Sequence, residues 1–136
     1  MLLLCLCALL ASCQKMTLDE EPGGGAGEPA RLPVGTGLGT EDCPFTVGDV
    51  LAGVVSPQGR PVWVAGYAVG AAYRTLATCD FSPSPAYSSN ILLSSDSLCT
   101  DASRCVPVEL STQKWKTLLS LPANPAGYRQ CVMVQG

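Results

Sequence analysis

Arg60-Pro-Val-Trp-Val-Ala-Gly-Tyr-Ala-Val-Gly70 is the stretch that decides the fold. Val62, Val64, Gly66, Ala68 and Gly70 alternate with Trp63, Ala65, Tyr67 and Val69, so both faces of the run are apolar. A strand covered by packing on both sides reads this way. Gly66, lacking a Cβ midway along it, is expected to mark a bulge or a sharp coil.

Working outward, Asn90-Ile-Leu-Leu-Ser94, Arg104-Cys-Val-Pro-Val-Glu-Leu110 and Gln130-Cys-Val-Met-Val-Gln135 read as three further strands. Pro107, with no N–H to donate, suits an edge or bulged position in the second of them. Residues 72–89, rich in Ser, Pro, Tyr and Ala, read as a long loop stiffened by Pro83 and Pro85. Ahead of the first strand, Pro44 to Gly53 forms a short helix. Thr46 caps it, Asp49 reaches back as a capping-box acid, and Gly53 ends it. Val47, Val50 and Leu51 would be its apolar face. A second helix is expected over 112–121, with Trp115, Leu118 and Leu119 inward, Lys114 and Lys116 outward, and Pro122 as the stop.

One long coiled strand, a strand pair, a helix and a further strand is the layout of an OB-type barrel. That barrel takes five strands and only four are visible. The fold class expected is therefore mainly β: a small, partly open OB-like barrel with one short N-terminal helix, one helix between strands, and its last strand missing. The runs Phe45-Thr-Val-Gly-Asp-Val50, Val62-Trp-Val-Ala-Gly-Tyr-Ala-Val-Gly70, Ser89-Asn-Ile-Leu-Leu-Ser94 and Cys105-Val-Pro-Val-Glu-Leu110 carry a resemblance. They look like an uncharacterised domain family with an OB-like fold, found in lipoproteins and secreted proteins of Bacteroides and its relatives, the Bacteroidota. The similarity covers about residues 44 to 136. It implies a barrel whose terminal strand ends this chain short, and it brings no catalytic residues.

The N-terminus reads as an address. Leu2 to Ala11 is apolar and closes on small residues, which is too short to cross a ~30 Å hydrocarbon core, for which about 20 residues are needed. Its length suits the core of a secretory signal. Leu10-Ala-Ser-Cys13 matches the bacterial lipobox, with cleavage between Ser12 and Cys13 and lipid attached to Cys13. Two acyl chains, each buried CH₂ contributing ~0.8 kcal/mol, already anchor stably. The organisation expected is a signal peptide over 1–12, a lipidated cysteine and Gly/Pro/acidic tether over 13–42, and an OB-like domain over 43–136. The location expected is the cell envelope, at the outer membrane, on its periplasmic or its surface face.

Charge and composition narrow the function classes. The net charge is -3 for 136 residues. The acids cluster before residue 43, and from Cys43 onward six basic residues face five acids. A domain so near neutrality lacks the basic surface that a phosphate backbone requires, so no nucleic-acid partner is expected. The absence of histidine removes the usual general base and the commonest metal ligand. No enzyme and no cofactor are expected. Of the 8 cysteines, Cys43, Cys79, Cys99, Cys105 and Cys131 lie in the domain, with no CxxC spacing to suggest zinc or dithiol catalysis.

Four sites stand out. Cys99 and Cys105 bracket a short loop and could form a disulfide there, or remain as two buried thiols. Asp96-Ser97-Leu98 matches a short O-glycosylation sequon in what reads as an exposed loop, with Ser97 the acceptor. Tyr67 and Tyr73 could form a stacking platform for a ligand. Asp96 and Asp101 could hold calcium, although loop acids are ordinarily just solvated. The expected function is a lipid-anchored, non-catalytic envelope protein whose domain binds a glycan, peptide or protein. The alternatives are a hydrolase built on a carboxylate pair and an assembly subunit completed by a partner's strand.

Overall fold

The computed structural model describes residues 30–32, 35, 37–55 and 59–136. Its spine is β2 (Trp63–Tyr73), the long apolar strand, and every other strand except one pairs directly with it. Along one edge of β2 lies β6 (Cys131–Gln135), antiparallel, from Trp63 opposite Gln135 to Tyr67 opposite Cys131. Beyond it the same strand folds back on β3 (Thr75–Asp80). The other edge takes the two-residue β1 (Phe45–Thr46) in parallel, then β4 (Asn90–Ser94) antiparallel. β4 in turn carries β5 (Cys105–Glu109). The principal order is β6-β2-β4-β5, a curled four-stranded half-barrel. Among the described residues, β5 and β6 are not paired to each other, and the barrel is open between them.

The four strands expected from sequence are β2, β4, β5 and β6, and the two helices are where the pattern put them. α1 (Val47–Leu51) precedes β2, and α2 (Gln113–Leu119) lies between β5 and β6. β4 is buried on both faces. Ile91 and Leu93 enter one core cluster with Val47, Ala68, Leu110 and Leu121. Leu92 points the other way, into a second cluster with Val69, Ala72, Cys99 and Cys105. The period of two along a strand makes this division automatic. Pro107 lies opposite Leu92, and its nitrogen falls on the outer edge of β5, where no ladder bond is lost.

Several expectations are corrected. The bulge in β2 lies between Ala68 and Gly70, not at Gly66. Gly66 instead permits close packing, since a Cβ there would stand 2.7 Å from Val47 Cγ2 and 3.0 Å from Leu93 Cβ. Residues 72–89 are not one loop: β2 continues to Tyr73 and β3 returns through a tight turn at Arg74, whose φ is 61°. In α2, Trp115 is 45% exposed and Leu118 53% exposed, so neither faces inward; Leu121, just past the helix, is the buried side chain.

The expected tether is not free along its last part. Leu32 N–H donates to the Ser95 carbonyl at 2.8 Å, and Ser97 N–H donates to that of Ala30 at 3.0 Å. These form one antiparallel bridge, Arg31 opposite Asp96. Further on, Trp63 N–H donates to Gly39 O at 2.9 Å. Structure therefore starts well ahead of Cys43. The compositional reading missed this because most of these contacts use backbone groups of the segment, with Arg31 adding an ion pair to Asp96.

Candidate functional site

The turn between β2 and β3 builds a cleft of about 680 Å³ with a floor at the ends of β4 and β5. That volume lies within the roughly 300–1,000 Å³ of small-molecule sites. Tyr73, Arg74 and Leu76 line its wall, and Asn90, Pro107 and Glu109 its floor. Tyr73 stacks on Tyr87, with ring centroids 5.4 Å apart and planes inclined by 23°. The Arg74 guanidinium carbon lies 5.0 Å from the Tyr73 ring centre, within cation–π range. Arg74 occupies the left-handed turn position, with φ 61°. Asn90 Nδ2 donates to Ala72 O at 3.4 Å, joining floor to wall.

The segment that brings Tyr87 to Tyr73 is pinned at both ends. Tyr128 Oη donates to Phe81 O at 2.9 Å, and Leu110 N–H donates to Ser89 O at 2.7 Å. Arg74 and Glu109 carry opposite charges into one cleft, and among the described residues neither takes part in an ion pair. The arrangement offers a fixed aromatic surface, a planar five-donor cation and a carboxylate acceptor to one ligand.

Of the residues singled out from sequence, Tyr73 lines the cleft and Tyr67 does not. The two are six residues apart on one strand, roughly 20 Å at strand rise. The bulge between them also exchanges faces, so residues of equal parity emerge on opposite sides. Tyr67 packs against the second core cluster, where burial raises its phenol above the usual value. Tyr87, Arg74 and Asn90 were not picked out, since nothing in their spacing joins them to Tyr73; Glu109, read from sequence only as one of five acids that could form a carboxylate pair, does line the cleft.

The model matching residues 45–136 is that of a family described as a domain of unknown function, DUF6359. The chain belongs to that family. No curated protein and no solved structure matches the chain. The cleft lies wholly within the DUF6359 region.

The other sequence candidates fall elsewhere in the DUF6359 domain or outside it. Ser12 and Cys13 lie outside the described residues. Ser97 is buried rather than on an exposed loop, its N–H held by Ala30. Asp96 is buried as well and receives Arg31 Nε at 3.2 Å and Arg104 Nη2 at 3.5 Å, so its carboxylate faces cations that the protein already supplies. Asp101 is exposed and caps the short turn after it, accepting from Ser103 N–H at 2.9 Å and from its hydroxyl at 2.7 Å. Those two bonds hold its carboxyl below the usual carboxylate range. Among the described residues no group of three or more His, Cys, Asp or Glu could hold a metal ion. Cys99 and Cys105 are both buried thiols, with Sγ atoms 3.9 Å apart. No helix among the described residues is long and apolar enough to cross a membrane.

Proposed function

We propose that the chain is a lipid-anchored cell-envelope protein, held by acylated Cys13, whose DUF6359 domain binds a carbohydrate at the Tyr73 cleft without transforming it. The observation that carries the binding half is the cleft itself. A sugar presents an apolar face of C–H groups and a rim of hydroxyls. Tyr73, held in place by its stack on Tyr87, suits the first, while Arg74, Asn90 and Glu109 suit the second by supplying donors and an acceptor. The anchoring half rests on Leu10-Ala-Ser-Cys13 and the apolar run before it. In a Bacteroidota-type outer membrane such an anchor would keep the domain among envelope polysaccharides.

A carboxylate-pair hydrolase has less support. It takes two carboxyl groups about 5–9.5 Å apart, and among the described residues Glu109 is the one carboxylate lining the cleft. Strand addition by an assembly partner is disfavoured at β5, where Pro107 offers no N–H on the outer edge.

Two measurements test the two halves separately. Metabolic labelling with a palmitate analogue in a Bacteroides-type host should mark the wild type and not Cys13→Ala; equal labelling of both would refute the anchor. On a panel of envelope polysaccharides the wild type should be retained, and Tyr73→Ala should weaken binding about tenfold, as loss of ~1.4 kcal/mol of stacking implies. No retention of the folded wild type on any member would refute the carbohydrate reading.

A further inference from the structure

Cys99 and Cys105 sit at the two ends of a loop held closed by bonds that need no link between their sulfurs. Leu98 N–H donates to Asp96 Oδ1 at 3.0 Å, and Cys99 N–H donates to Asp96 O at 3.1 Å. At the other end, Asp101 caps the turn over Ala102–Arg104, and Arg104 N–H donates to Asp101 O at 3.1 Å. Both thiols point to one spot: Cys99 Sγ lies 3.4 Å and Cys105 Sγ 3.3 Å from Asp101 O. Around them pack Val69, Ala72 and Leu92, with Tyr67, Cys79 and Phe81 at the margin.

From this geometry we infer that Cys99 and Cys105 are oxidised to a disulfide that closes the β4–β5 loop. The Sγ atoms need to approach by only about 2 Å to reach bonding distance, within the range of small side-chain rotations. The loop is already held in the closed shape by bonds that involve neither sulfur, so the crosslink fixes an arrangement the chain adopts anyway. Burial, with Cys99 beside it, pushes the Cys105 thiol up to about 12 in the folded domain. The thiolate needed for exchange is therefore disfavoured in the folded domain.

The oxidant is a protein or small-molecule disulfide. The thiolate of one cysteine attacks a sulfur of that disulfide and expels a thiolate. The second cysteine, losing its proton to solvent, then attacks the mixed disulfide. Two cysteine thiols become one disulfide while the oxidant's disulfide becomes two thiols. In the cell the step rests on the envelope location proposed above, because reducing compartments keep thiols reduced.

The test uses the full chain refolded in reduced and oxidised glutathione, so it reads the thiol pair independently of where the protein resides. Trypsin cuts after Arg74, Arg104 and Lys114, placing Cys79 and Cys99 in peptide 75–104 and Cys105 in peptide 105–114. These two peptides should remain linked until reduced, also in Cys79→Ser, and should separate in Cys99→Ser. The oxidised wild type should melt on the order of 5–10 °C above oxidised Cys99→Ser. Complete alkylation of Cys99 and Cys105 in the oxidised, folded wild type would overturn the inference. So would a link that disappears in Cys79→Ser. A link formed in vitro but absent from protein taken from cells would instead count against the envelope location.

Discussion

The two helices of this domain make a useful contrast. α1 has five residues and α2 has seven, and each carries three large apolar side chains. Yet α1 is the buried helix. Val47 and Asp49 are fully enclosed, and Thr46 and Asp49 form a complete capping box. Asp49 accepts Thr46 N–H at 2.8 Å on one oxygen and the Gly35 N–H on the other. Gly48 N–H donates to Ser95 Oγ at 2.7 Å. α2 buries no residue of its own. It is fastened by Thr112 Oγ1 under Trp115 N–H at 3.2 Å, and Asn124 Nδ2 donates to Thr117 O at 2.6 Å. Helices this short draw little from propagation, so tertiary anchoring decides their stability. Here a buried carboxylate outweighs an apolar stripe.

The largest effect that could break this contrast is expected at Asp49. Asp49→Ala leaves the N–H groups of Thr46 and Gly35 without their acceptor in a closed interior. It should cost about 3 kcal/mol, a melting shift of more than about 10 °C for a domain of this size. A denaturant midpoint unchanged from wild type would show that α1 is not held as described. Next comes the cap of α2: Thr112→Ala should cost about 1 kcal/mol, the usual value of an N-cap. Trp115→Ala, despite removing the largest side chain on α2, should stay within about 0.5 kcal/mol, as for an ordinary surface change. A Trp115 loss rivalling that of Asp49 would mean the apolar stripe is covered in solution. The smallest effect concerns Asp101. Its carboxyl is lowered on folding by the Ser103 bonds, so the stabilisation is present above the ordinary carboxylate value. It is lost as pH falls through the lower folded value. A Ser103→Ala variant should show a flatter stability profile at acid pH.

The main sheet was legible because its four strands are long alternating or continuous apolar runs, and α1 because Thr46 and Asp49 stand at capping-box spacing. β3 was hidden by its turn. Arg74 takes a left-handed φ that turns ordinarily give to Gly or Asn, so no breaker separates Tyr73 from Thr75. The strand-like contact of residues 30–32 was hidden by Gly and Pro on either side. For the site, the long strand offered Tyr67 and Tyr73 together, but they do not share a site, since the one-residue bulge between them is silent in the side-chain pattern. Tyr87 and Glu109 come from distant segments that only the hairpin and the pinned 81–89 segment bring together. Cys99 and Cys105 were within reach of sequence because one short loop separates them.

The Arg31–Asp96 bridge has a mechanical consequence. Among the described residues, a pull arriving along the chain at Ala30 is taken up by the loop after β4, through two backbone hydrogen bonds and an ion pair. The load then passes into β4, the strand buried on both faces, whose first residue, Asn90, also lines the cleft. Tension at the attachment point is thereby coupled to the cleft through the most enclosed strand of the sheet.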